Sequence, residues 1–171
     1  MSKKSETKQK KSAMEAASAY LASRMRTIAE MRTHLASKEY SADEIDEAVR
    51  ELEELGYLDD YQYALRYYEY NREKKRGSFR AMRELSDKGV DEEIIMNSRE
   101  DFLHEFKVDE FEDALALAER IVRDSGGTEL SDKLSAKLAR RLESAGYQRN
   151  DIIRVLGELR GADSYNGDIS D

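Results

Sequence analysis

LASKEYSADEIDEAVREL, residues 35–52, reads as the end of one helix, a turn and most of a second helix. Ser41 and Glu44 have the capping-box spacing, in which each side chain satisfies an orphan amide of a helix start. Ile45, Ala48, Val49 and Leu52 then keep the 3.6-residue period of a helix with one apolar face. The stretch decides the fold because it recurs. Leu35, Tyr40, Ile45 and Leu52 are matched by Leu85, Val90, Ile95 and Phe102, then by Leu142, Tyr147, Ile152 and Leu159, at offsets of 50 and 57 residues. Offsets of this size belong to tandem helical repeats.

Outward from this register, each copy becomes a helix pair. Ile28, Met31 and Leu35 precede the second helix of the first pair. Phe79, Met82 and Leu85 pair with Ile94, Ile95 and Phe102, and Leu134, Leu138 and Leu142 with Ile152, Val155, Leu156 and Leu159. Two further capping boxes, Ser12–Glu15 and Thr27–Glu30, mark helix starts. Gly56, Gly77, Gly89, Gly126, Gly127, Gly146 and Gly161 fall where helices should stop; only Gly157 sits inside a helical pattern. A third helix precedes each pair, over roughly 13–24, 60–75 and 109–124. The fold class expected is all-α: three tandem three-helix repeats, residues 13–56, 57–106 and 107–161, in an elongated, curved array. A basic tail, 1–12, and an acidic one, 162–171, are expected to be disordered.

Composition supports this reading and excludes several chemistries. The 171 residues contain no proline, against a usual share of about 5%. With no cysteine, disulfides and thiolate metal sites are excluded, and His34 and His104 alone make a poor metal set. No metal or cofactor is expected. No stretch approaches the ~20 apolar residues of a membrane span, and no signal sequence is evident, so a cytoplasmic protein is expected. Carboxylates abound, but adjacent ones such as Glu53 and Glu54 point about 100° apart around a helix. No glycine-rich phosphate loop follows a strand and no Cys–His pair exists, so the chain does not read as an enzyme.

The net charge of −8 is unevenly spread. Residues 25–60 carry −7 and 89–118 carry −8, whereas 1–24 and 61–88 each carry +4. The central basic block is YQYALRYYEYNREKKRG, residues 61–77. Tyr63, Tyr67 and Tyr70 lie on one helical face, with Tyr61, Ala64, Leu65 and Tyr68 on the adjoining one. Tyr63, Ala64 and Tyr67 read as core, the tyrosine ring packing while its hydroxyl reaches water; Tyr61 and Tyr70 suit an exposed contact. Arg80–Glu84 and Arg83–Asp87 have i,i+4 spacing, Glu69–Arg72 and Glu73–Arg76 i,i+3 spacing. Lys74, Lys75 and Arg76 admit two readings: cations favoured at a helix C-terminus by its dipole, or, with Arg80 and Arg83, a surface for an acidic protein patch or a phosphate backbone.

The middle unit also forms a phrase: GYLDD with a following YA and Tyr67, then Arg80, Glu84, Leu85, Lys88, Gly89 and Val90. With YLASRMRTIAEMRTHLASKEYSADEIDEAVRELEELGYLDD before it and KLARRLESAGYQRNDIIRVL after it, the chain resembles the RecX regulatory family over residues 17–160. The resemblance implies a non-catalytic, all-helical monomer. It would bind the RecA recombinase filament and restrain its ATP hydrolysis, strand exchange and co-protease activity, with DNA contact mainly inside the filament. Candidate partner-binding residues are Lys74, Lys75, Arg76, Arg80, Arg83 and Tyr70, with Arg140, Arg141 and Arg149 second. The family's usual proline at the start of the second helix of the middle unit is here Ser78, expected to act as an N-cap instead. Alternatives to the filament reading are a nonspecific nucleic-acid-binding module and a generic helical interaction scaffold.

Overall fold

In the computed structural model, residues 11–126 and 130–166 are described, with side chains to residue 161. Gly127, most of the basic tail and residues 167–171 lie outside the described residues. Nine α-helices follow one another among the described residues: α1 (Ala13–Leu21), α2 (Ile28–Ser37), α3 (Ala42–Glu54), α4 (Asp60–Glu73), α5 (Ser78–Asp87), α6 (Glu92–Glu105), α7 (Glu110–Asp124), α8 (Asp132–Ala145) and α9 (Arg149–Asn166). They pack in threes, each triplet around its own apolar cluster. The repeated positions are the hearts of these clusters: Leu35, Leu85 and Leu142 are fully buried, and Ile45, Ile95 and Ile152 nearly so. The three expected capping boxes close α1, α2 and α3.

Several boundaries differ from expectation. Ser12 caps α1 and the Lys11 carbonyl accepts the Tyr40 hydroxyl at 2.7 Å, so the last two residues of the basic tail are bound to the first unit. Leu58, assigned by spacing to the second unit, is buried in the first cluster. α9 runs through Gly161 to Asn166, because a glycine lowers helix propensity without forbidding a helix. Gly77 does not stop α4 either. That helix ends through Lys75, which takes the left-handed conformation at φ 57°, while Gly77 is the N-cap of α5 at φ −71°. A side chain at Gly77 has no room: a Cβ there would lie 2.3 Å from the Gly146 carbonyl oxygen.

The joints between units are built alike. At the first, the Ile28 N–H that opens α2 donates to Asp60 Oδ1 at 2.9 Å, and the Thr27 hydroxyl donates to the Lys88 carbonyl at 2.8 Å. At the second, the Ser78 N–H that opens α5 donates to Glu110 Oε1 at 2.6 Å, and the Gly77 N–H to the Ala145 carbonyl at 2.9 Å. In both, the first residue of the following unit's opening helix supplies a carboxylate to an orphan amide of the preceding unit. Ser78 is therefore the first helical residue, not the cap. Its hydroxyl donates to Glu110 Oε2 and accepts from Arg99 Nε, and Arg99 also binds Glu110. The described joint contacts link first to second and second to third unit, giving a linear array.

Candidate functional site

The opening helix of the middle unit sorts its tyrosines by depth. Tyr68 is the deepest, its ring stacked on Phe102 at 5.5 Å and its hydroxyl donating to the Ile95 carbonyl. Tyr63 is buried beside Ala64, whereas Tyr67, expected in the core, is only partly buried. Its hydroxyl donates to Glu84 Oε2 at 2.7 Å. Burial and then that carboxylate push the Tyr67 phenol up to about 12. Burial alone would raise Glu84, but the hydrogen bonds from Tyr67 and Arg80 outweigh it and hold the carboxyl below its ordinary value. Tyr61 is partly exposed and donates to Asp101; Tyr70 is exposed. The tyrosine run is therefore core for Tyr63 and Tyr68, interface for Tyr67 and surface for Tyr70.

The basic residues meet where the second unit joins the third. Lys74, Lys75, Arg76 and Arg80 line a groove of about 470 Å³ together with Arg120 and Arg141, and Glu73 is the one carboxylate in its lining. α4 delivers the lysines at its C-terminus, α5 delivers Arg80, and the Gly77–Ala145 hydrogen bond holds the end of α8 against them. Arg80 donates to Glu84 at 2.8 Å. Lys74, Lys75, Arg76, Arg120 and Arg141 enter none of the described ion pairs. The Lys74 ammonium stands 5.6 Å from the Tyr70 ring centre, which places that tyrosine at the groove's edge. Six cations against one carboxylate in a concave site focus the field on an anionic ligand.

Not every candidate joins this groove. Arg83 and Arg149 line a second groove of about 570 Å³, with Phe79, Met82 and Tyr147. The Arg140 guanidinium donates to the Ala136 carbonyl of its own helix. Of the four intrahelical pairings inferred from spacing only Arg80–Glu84 is among the described ion pairs, and Arg83–Asp87 is not. Arg72 bonds Asp113 of α7 at 2.8 Å instead of Glu69, and Arg76 has no described bond to Glu73. Arg120 was missed altogether. Its exposure on α7 resembles that of any surface arginine, and only the docking of α7 beside α4 turns it into the groove. Among the described residues no helix is long and apolar enough to cross a membrane, and no group of His, Asp and Glu is arranged to hold a metal.

Comparison with known proteins follows the same outline. Residues 13–52, which form the first helix triplet, match the family model described as "RecX, first three-helix domain". A regulatory protein RecX of Clostridium botulinum is 32% identical over 143 residues, covering 83% of this chain and 66% of the relative. Those of Halalkalibacterium halodurans and Bacillus cereus are 31% and 32% identical over 75% and 82% of this chain. The chain thus spans between about half and two thirds of the length of these curated relatives: 66%, 47% and 51%. The crystal structure of RecX from Lactobacillus salivarius superposes with a TM-score of 0.72 at 27% identity, covering 86% of this chain and 94% of that one. A second RecX crystal structure, at 20% identity and a TM-score of 0.70, shares the fold. Sequence and fold agree, and the chain belongs to the RecX family.

Proposed function

We propose that this chain regulates a RecA recombinase by binding its DNA filament and restraining ATP hydrolysis, strand exchange and co-protease activity. The observation that supports this reading is the groove at the second joint, where five cations lack a described carboxylate partner and face one concave surface. A linear array of units can touch more than one filament protomer. Weak contacts along it then gain from effective concentration, and bridging opposes the protomer movements that hydrolysis requires. RecA ATPase on single-stranded DNA, measured while this chain is titrated in, tests the reading. Wild-type protein should lower the steady-state rate. A Lys74→Glu/Lys75→Glu/Arg76→Glu variant should lose most of that effect with helicity intact, and Arg141→Glu should weaken it. Arg140→Glu, outside the groove, should not. Full inhibition by the folded triple variant removes the groove from the contact.

The same excess of cations favours one other reading, nonspecific binding to a nucleic-acid phosphate backbone. That reading requires affinity for single-stranded DNA without recombinase, falling with salt at a log–log slope of about −0.7 per phosphate neutralised. Flat anisotropy of labelled single-stranded DNA at low salt excludes it.

A further inference from the structure

The basic groove has a neighbour. A cleft of about 340 Å³ lies between α4, the end of α6 and α7, and Glu73 and Lys75 line both it and the groove. Phe102 and Phe106 supply the apolar part of the cleft. Phe102 is buried, and Phe106, the C-cap of α6, packs tilted against it at 5.5 Å yet stays 45% exposed. Nearly half of this residue is left in water next to the cations, where an apolar group from a partner would gain by covering it.

We infer that groove and cleft together take one acidic segment of a partner protein, its carboxylates among Lys74, Lys75, Arg120 and Arg141 and an apolar anchor on Phe106. The inference rests on the filament reading and names what its groove recognises there, protein rather than DNA. The charges of the two parts select this occupant. The groove sets six cations against Glu73. The cleft sets Glu69, Glu73 and Asp113 against Arg72 and Lys75, and the Arg72–Asp113 pair at 2.8 Å uses one of each sign. Glu69 and Glu73 enter none of the described ion pairs. A nucleic-acid strand carries a phosphate at every nucleotide, so a base stacked on Phe106 would bring phosphate toward these two carboxylates. A peptide is free of that constraint, because its acidic and apolar side chains can occupy separate positions. The anchor then supplies affinity, and the groove decides which segment enters.

The test uses the full chain and a fluorescein-labelled peptide of about ten residues, roughly 35 Å when extended, with glutamates in one half and two leucines in the other. Anisotropy should show saturable binding. Lys74→Gln/Lys75→Gln/Arg141→Gln should abolish it, and Phe106→Gln, at a half-exposed helix end, should weaken it on the order of tenfold. A peptide with serine in place of leucine should bind the wild-type chain as weakly as the leucine peptide binds the Phe106→Gln variant, and should not distinguish the two proteins. The serine peptide leaves the wild-type protein unaltered, so misfolding of a variant cannot produce that result. Equal binding of the leucine and serine peptides marks charge attraction alone and overturns the proposal. So does a labelled oligothymidylate that binds more tightly than the peptide and loses affinity with Phe106→Gln, for then the cleft takes a base. The assay contains no recombinase, which keeps the two readings apart. A chain that binds the peptide through Phe106 but leaves RecA ATPase unchanged supports the site and refutes the recombinase as its partner.

Discussion

At the scale of single residues, depth separates side chains that the sequence makes look alike. Tyr68→Ala should cost about 3–5 kcal/mol, the range for emptying a buried aromatic site, and Tyr67→Ala clearly less because that ring is partly exposed. Tyr68→Phe removes only the bond to the Ile95 carbonyl and should cost about 1 kcal/mol. Urea denaturation of the three variants gives the order directly, and a Tyr67→Ala loss equal to that of Tyr68→Ala would contradict it. Periodicity placed both faces of α4 correctly as apolar, but two adjacent faces cannot be ranked without knowing where α6 lies. Glycines show the same limit. Gly146 was legible as a helix end, and its φ of 93° agrees; that it also abuts Arg80, with 2.3 Å to a notional Cβ, was not. Gly146→Ala should therefore cost more than Gly56→Ala, which has the positive φ and open space around it.

At the scale of elements, helix ends were the most readable feature where the cap is local and the least where it is borrowed. Ser12, Thr27 and Ser41 announce themselves three residues before a glutamate. Nothing near Ser78 announces Glu110, and α5 has no side-chain cap from its own N-cap residue. Glu110→Ala leaves the Ser78 N–H and Arg99 without their carboxylate. A loss of about 1.5–3 kcal/mol is expected, the range for a hydrogen bond to a charged group. Glu84 makes a second prediction at this scale. Its folded pKa lies below its unfolded one, so its contribution is present above the unfolded value near 4.5 and is lost as pH falls through the folded value. Glu84→Gln should lower stability at pH 7 yet flatten the decline on acidification; chemical denaturation at both ends of that window measures it.

At the scale of the whole molecule, three helix triplets and their order were legible, because burial repeats with the sequence register from Leu35 to Val155. The basic groove was legible only in half. Lys74, Lys75, Arg76 and Arg80 are close in sequence, whereas Arg120 and Arg141 arrive through the second joint. A chain of units that touch only their neighbours unfolds as cooperatively as its joints allow. Weakening one joint through Glu110→Ala should broaden the urea transition and lower its apparent m-value, as the third unit melts out of step with the others. The borrowed caps also have a consequence in time. Ile28 and Asp60 are separated by 32 residues, and so are Ser78 and Glu110. On a ribosome adding about 5–20 residues per second, each of the first two triplets waits roughly 2–6 s for the carboxylate that closes its middle helix. Synthesis thus latches the array from its N-terminus, one unit behind the growing end. A nascent chain stalled before Asp60 holds an α2 whose Ile28 amide still lacks its carboxylate, which the next residue supplies.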